Sequence, residues 1–271
     1  MNIIRLIITG LLITVYFNSI SQTPRRIVSL VPSITKQLYE LGVEDKIVGC
    51  TNYCPGKDIK SVTVVASAIK VNIEKTLLLK PDLVLASALT SPKTLETFKK
   101  LGVKTIWFDY PKSFEDLCKQ FLDLGKIVGK QNHSIKMVNR AKVRLSTIRN
   151  KIPQNNPLKM FVQIGANPLF AAIENTFMDD YIKFSGGTNI IKGLKSGAVS
   201  RESILLKNPE VIFVITMGVV GKQEKELWKS YKSLNAAKSK RIFIIDADIA
   251  SSPTPKTFVD VVEIMVELIY D

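Results

Sequence analysis

The feature that most constrains this chain is the stretch from Gln131 to Ile152. Its apolar residues fall at Ile135, Val138, Ala141, Leu145, Ile148 and Ile152, in steps of three, three, four, three and four. That period is helical and cannot be read as a strand. Gly129 precedes the run and Pro153 stops it. The opposite face is cationic, with Lys136, Arg140, Lys142, Arg144, Arg149 and Lys151. At about 1.5 Å per residue, these 22 residues make a rod of roughly 33 Å, as long as a small domain is wide. The pattern fits a strut between two bodies, and equally one more amphipathic helix in a single α/β domain.

The flanking regions each alternate apolar strand with helix. Before the strut, strands are predicted at Ile27 to Val31, Ile47 to Cys50, Val62 to Val65, Leu83 to Ala86 and Thr105 to Phe108. Ser33, Asn72, Ser91 and Ser113 are placed to cap the intervening helices. After Pro153 the pattern restarts, with strands at Met160 to Ile164, Val211 to Ile215 and Arg241 to Ile245. Helices there are predicted over Met178 to Phe184, Ser200 to Lys207, Lys222 to Leu234 and Pro255 to Tyr270. Such alternation means parallel sheets with right-handed crossovers.

One internal correspondence separates the two architectures. Asn72-Ile-Glu74-Lys-Thr-Leu-Leu-Leu-Lys-Pro81-Asp-Leu-Val-Leu runs parallel to Ser200-Arg-Glu202-Ser-Ile-Leu-Leu-Lys-Asn-Pro209-Glu-Val-Ile-Phe. In both, a cap residue stands two before a Glu, a Pro–acid pair follows that Glu by seven, and an apolar strand begins. The same helix–turn–strand unit on either side of the strut favours two related lobes. A carboxylate in a first helical turn complements the helix dipole, which accounts for Glu74 or Glu202 singly. Two at the same place in both lobes make two matched acidic points, which suit a two-fold partner.

The first residues read as a signal segment. Positive charge near Met1, an apolar run from Leu6 to Phe17 and small residues at Asn18-Ser19-Ile20-Ser21 predict cleavage near Ser21-Gln22. An uncleaved anchor is the other reading, and no Cys stands near that boundary to carry a lipid. No later run is long and apolar enough to span a bilayer. The formal charge of +14 comes from scattered lysines without a nucleic-acid motif, so nucleic acid is not an expected partner. Cys50 and Cys54 lie close enough for a bridge in an oxidising compartment, and equally read as two buried thiols; Cys118 reads as core.

Catalysis is poorly supplied. His133 is the single histidine, and no nucleophile elbow, zinc-ligand spacing or phosphate-cradling loop is present. A ligand site is better supported, because in α/β sheets ligands lie beyond the carboxyl ends of strands. Those ends carry Ser33, Asn52, Tyr53, Ser87, Asp109, Tyr110, Asn167 and Phe170, and Trp228 lies on a nearby helix. The aromatic residues offer cleft walls and the amides offer polar contacts, suiting a large, partly apolar ligand with polar edges.

The chain resembles the periplasmic substrate-binding proteins of ABC importers that have two lobes joined by one helix, and within them the cobalamin-binding branch. The resemblance rests on Arg26-Ile-Val-Ser-Leu-Val-Pro-Ser-Ile-Thr, Leu41-Gly-Val-Glu-Asp-Lys-Ile-Val-Gly-Cys-Thr-Asn-Tyr-Cys-Pro and Lys80-Pro-Asp-Leu-Val-Leu-Ala. It continues through Leu124-Gly-Lys-Ile-Val-Gly, Asn175-Thr-Phe-Met-Asp-Asp-Tyr, Ser185-Gly-Gly-Thr-Asn-Ile, Ser200-Arg-Glu202 and Asn208-Pro209-Glu210. Pro55-Gly56-Lys57 departs from the acidic or histidine-containing turn often found after Cys54 in that branch.

The resemblance implies an α/β fold of the class III periplasmic binding protein kind, two Rossmann-like lobes on a single long backbone helix. It implies a signal peptide at 1–21, an N-terminal lobe at 22–129, an interlobe helix at 130–153 and a C-terminal lobe at 154–271. A monomer without cofactor or catalysis would carry a cobalamin-like corrinoid through the periplasm. Tyr53, Tyr110 and Phe170 would pack on its ring faces, with Asn167 and groups near Ser33 and Ser87 on its polar edges. Glu74 and Glu202 would dock on arginines of a dimeric inner-membrane permease with its ATPase. Haem or ferric-siderophore receptors share the scaffold and are the alternative, with an exported hydrolase further off.

Overall fold

The structure, a computed structural model, describes residues 23–67, 70–88, 90–153, 156–216 and 218–271. The expected signal segment and its cleavage point at Ser21-Gln22 lie outside the described residues.

The first lobe is built on strands β1 (Ile27–Ser29), β2 (Ile47–Thr51), β3 (Thr63–Ala66), β4 (Leu83–Ser87) and β5 (Thr105–Phe108). They form one parallel sheet in the order β3-β2-β1-β4-β5. Helices α1 (Pro32–Glu40), α2 (Ile73–Leu78), α3 (Pro92–Lys100) and α4 (Phe114–Ile127) connect and cover the strands. Asn72, Ser91 and Ser113 cap α2, α3 and α4 as expected, each accepting a hydrogen bond from a first-turn amide. Ser33 does not cap α1. Pro32 occupies the first helical position, where its missing N–H costs nothing, and Val31 stands at the cap.

The second lobe carries β6 (Leu158–Gly165), β7 (Phe170–Ala171), α6 (Phe177–Phe184), β8 (Gly187–Asn189), α7 (Arg201–Lys207), β9 (Val211–Val214) and α8 (Gly218–Ser230). It ends with α9 (Asn235–Lys238), β10 (Ile242–Ile244), α10 (Ala247–Ala250) and α11 (Pro255–Tyr270). Its sheet runs β10-β9-β6-β7, with β8 parallel to the first half of β6 and β7 antiparallel to its end. The short β7 and β8 carry no clear alternation, which is why the sequence pattern missed them.

The duplicated unit is a structural duplication. In each lobe it leads into the strand that pairs with the lobe's first strand, β4 on β1 and β9 on β6. The acid after the proline ties that strand down. Asp82 accepts from the amides of Arg25 and Arg26 at 2.7 and 3.1 Å, and Glu210 accepts from the amide of Lys159 at 2.9 Å. Before each proline the chain turns through a left-handed residue, Lys80 in one lobe and Asn208 in the other, both at φ 46°.

Between the lobes runs α5 (Gln131–Arg149), ending three residues before the predicted Ile152. Its inner face is Ser134, Val138, Ala141, Leu145 and Ile148, whereas Ile135 is 40% exposed. The start of the stripe is shifted because α4 crosses close at Gly125, where any Cβ would meet Ser134 at 2.5 Å. Only a small residue fits there. The helix is also not a lone strut, since α4 and α11 pack along it. Arg144 bonds Asp260 and Glu263 of α11 at 2.7 and 2.5 Å, and Lys142 bonds Glu115 of α4 at 2.8 Å.

At the junction, Phe258 of α11 stacks between Phe114 of α4 and Tyr181 of α6, with ring centroids at 4.7 and 4.5 Å. One hydrophobic core therefore runs under both lobes, through Phe121, Val138, Leu145, Met160, Phe258 and Met265.

Candidate ligand-binding cleft

The two sheets direct the carboxyl ends of their strands at a common cleft of about 650 Å³. From the first lobe come Pro32 and Lys36 at the start of α1, and Tyr53, Cys54 and Pro55 after β2. Ile164, Gly165 and Ala166 at the end of β6 face them, with Ile215 and Thr216 after β9 and Ala247, Asp248, Ser251 and Ser252 beyond β10. This is the strand-end location expected for an α/β ligand site, and the volume lies in the range of small-molecule clefts.

Of the predicted contacts, Tyr53 is in the cleft wall, with 62% of its surface exposed. The others are not brought together with it. Ser33 lies in the first turn of α1 between the lining residues Pro32 and Lys36 without itself bordering the cleft. Asn52 turns to a separate depression of about 440 Å³ beside Ala66, Lys70 and Asn72. Ser87 is buried inside β4. Asp109 accepts from the Trp107 indole at 3.0 Å, and the neighbouring Tyr110 is exposed. Both follow β5 at the far edge of the sheet and do not line the cleft. Asn167 is exposed in the loop before β7, and Phe170 of β7 lies against Gly165 and Gly197.

Trp228 is a correction. It is fully buried, and its indole N–H donates to Gln163 Oε1 at 2.6 Å. Its ring packs on Phe161 and carries the Arg201 guanidinium 4.8 Å from its centre. Gln163 in turn donates to Glu224 at 2.6 Å and to the Gly165 carbonyl at 3.1 Å, and Arg201 bonds Glu224 at 2.5 Å. The indole is thus a core anchor that fixes the end of β6 from behind.

The sequence reading missed Lys36. Its ammonium reaches across the cleft to the carbonyl of Asp248. Burial lowers its pKa, while the carboxylates of Asp248, Asp246 and Glu40 pull it back up. Thr216 Oγ1 is buried at the wall and has no hydrogen-bond partner among the described residues. Cys54 was read only as a neighbour of Cys50, and both are free, buried thiols. Its sulfur lies 3.1 Å from Thr35 Oγ1 and 3.2 Å from Thr51 Oγ1. The Cys50 thiol and these hydroxyls hold Cys54 below the ordinary thiol range despite burial, and Cys50 is pushed up as the donor of the pair. His133, in the first turn of α5, contacts the Glu40 carbonyl at 3.1 Å and does not border the cleft. Among the described residues no cluster of metal-ligating side chains is present.

Glu74 and Glu202 are both exposed in the first turns of α2 and α7. Glu202 is held below the usual carboxylate range by its own backbone amide and the Ser200 hydroxyl.

Residues 27–249 match the periplasmic binding protein family. The chain belongs to that family. It is 30% identical to the uncharacterized ABC transporter substrate-binding lipoprotein YvrC of Bacillus subtilis, over 93% of this chain and 82% of that one. It is 29% identical to the vitamin B12-binding protein of Vibrio cholerae, over 88% of this chain and 86% of that one. The periplasmic haem-binding protein HutB of Vibrio cholerae superposes with a TM-score of 0.81, covering 91% of this chain and 99% of that one. At 18% identity this last likeness speaks for the shared fold alone. These relatives are binding proteins, and a periplasmic binding protein of two α/β lobes on one helix is the architecture described above.

Proposed function

We propose that this protein captures a cobalamin-like corrinoid in the interlobe cleft and delivers it to an inner-membrane ABC permease with its ATPase. The observation that carries the reading is the cleft itself, bounded by facing strand ends, with the Tyr53 ring on one wall and the Lys36 ammonium spanning the gap. A flat macrocycle packs on the phenol, carbonyl oxygens of its amide rim accept from Lys36, and the unpartnered Thr216 hydroxyl supplies a polar contact. The likeness to a vitamin B12-binding protein supports the same ligand.

The mature protein works as a monomer in the periplasm after removal of residues 1–21. Its lobes are 22–129 and 154–271, with 130–153 between them. Glu74 and Glu202 present one carboxylate per lobe to the two halves of the permease. Calorimetric titration of the purified mature protein with cyanocobalamin tests the ligand. Saturable heat is expected, and none at tens of micromolar protein ends the corrinoid assignment.

A second reading, a haem or ferric-siderophore receptor, is favoured by the exposed phenol of Tyr53, an available oxygen ligand for ferric iron. A Soret shift on adding haem, lost in Tyr53→Phe, is its signature. Against an exported hydrolase stands the position of the single histidine, which lies outside the cleft.

A further inference from the structure

The two most exposed large apolar side chains among the described residues are Leu78, 80% exposed, and Leu206, 87% exposed. A single exposed leucine is ordinary on a soluble protein. These two are one observation, because each stands four residues after the first-turn glutamate of its helix, Leu78 after Glu74 and Leu206 after Glu202. Four residues are about one helical turn, so each leucine lies on the same helix face as its glutamate.

Burial of the neighbouring positions supports the placement. Two residues before each leucine the side chain is fully buried, Thr76 in α2 and Ile204 in α7. Each helix is therefore seated by its inner side, and the leucine is held outward on the side where solvent-facing helices carry polar groups. Other surface features of the two units are not shared. Lys75 and Lys80 of the first correspond to Ser203 and Asn208 of the second, so glutamate and leucine alone recur on the exposed face.

We infer that Leu78 and Leu206 are paired apolar anchors that enter two equivalent sockets of a two-fold symmetric partner, each socket lying beside a cation that takes the adjacent glutamate. The partner is the ABC permease, so the inference rests on the proposed importer role and extends it. A permease dimer presents the same surface twice, and two lobes related by internal duplication present the same carboxylate-plus-leucine pair twice. The carboxylates, set on a chain of net charge +14, select a cationic counterface. The desolvated leucines supply the apolar centre that charged rims lack.

The test uses the mature protein and its permease in lipid nanodiscs, with association followed by biolayer interferometry. Leu78→Ser and Leu206→Ser are each expected to weaken association about tenfold, and the double variant about a hundredfold. Thermal midpoint and cyanocobalamin heat should remain those of the wild type, because both side chains already face solvent.

Wild-type affinity in the double leucine variant, alongside loss in Glu74→Gln with Glu202→Gln, overturns the anchors and leaves the importer reading standing. Absence of any association by the wild type overturns both. Equal binding to nanodiscs without permease, abolished by the leucine changes, would make a lipid surface the occupant. A wild-type dimer in sedimentation that the changes dissociate would make it a second copy of this chain. Either of these last results also overturns the inference.

Discussion

Cys54 shows at single-residue scale what two facing lobes do to an ordinary side chain. Cys54 borders the cleft, and its buried sulfur is held toward the thiolate by Cys50, Thr35 and Thr51, whereas burial pushes Cys118 up to about 12. The thiolate is the nucleophile, so brief iodoacetamide treatment at neutral pH should label Cys54 ahead of Cys50 and Cys118. Bound cyanocobalamin should protect it. Peptide mass spectrometry reads both outcomes, and preferential labelling of Cys118 would refute the assignment. Cys54 was legible in the sequence only as half of a close pair. Lys36 was not legible at all, because its partner Asp248 lies 212 residues away and belongs to the other lobe. Trp228 misled for the opposite reason. A tryptophan near strand ends suggests a ligand wall, but its N–H had already found Gln163 in the core. Breaking the network behind it by Glu224→Ala leaves Arg201 and Gln163 without their shared acceptor. A loss of about 3 kcal/mol in denaturant unfolding is expected, and an unchanged midpoint would mean that water replaces the carboxylate without cost.

Among the elements, α5 was the most legible and still differed at both ends from its sequence pattern. Its apolar period was correct from Val138 to Ile148, whereas its first turn follows a constraint that periodicity does not record, the approach of Gly125 to Ser134. The cationic face likewise proved to be directed. Arg144 is clamped on Asp260 and Glu263, side chains about one-third exposed. At Asp260, burial alone would raise the pKa, but the bonds from Lys256 and Arg144 outweigh it and the net shift is downward.

A lowered folded-state pKa gives stability that is present above the ordinary carboxyl value of 3.8 and is lost as pH falls through the folded value. Arg144→Gln should therefore destabilise at pH 7 by about 1 kcal/mol, given the partial exposure of the pair. The difference between the wild-type and variant melting curves should shrink below pH 4. A difference that stays constant into acid would assign the effect to packing of the arginine stem.

For the molecule as a whole, the duplicated unit with its Pro–acid pair correctly indicated two lobes, because a local clamp on each first strand leaves a local mark in sequence. The layer of helices joining them left no such mark. The last of them, α11 of the second lobe, packs along α5 and contacts both α4 and α6. Further ties cross between the halves, from Thr254 to Glu40 at 2.7 Å and from the Phe114 amide to Asp180 at 2.8 Å. An unbroken helix flanked on both sides resists wide hinge closure. Small-angle scattering of the free and corrinoid-bound forms should differ by a lobe rotation of a few degrees at most. A rotation above roughly 20° would exceed what gentle helix curvature allows.

The position of α11 in the chain has a consequence for how the protein comes into being. Its side chains Phe258, Val262 and Met265 belong to the core shared by both lobes, and they follow the strands of both sheets in the sequence. The first lobe, although complete in sequence by Gly129, leaves the faces of α4 and α5 uncovered until the final helix arrives. A nascent chain is thus kept short of its stable fold until both sheets and α11 have been made. A keystone that comes after both arches makes their closure one late event and not two early ones.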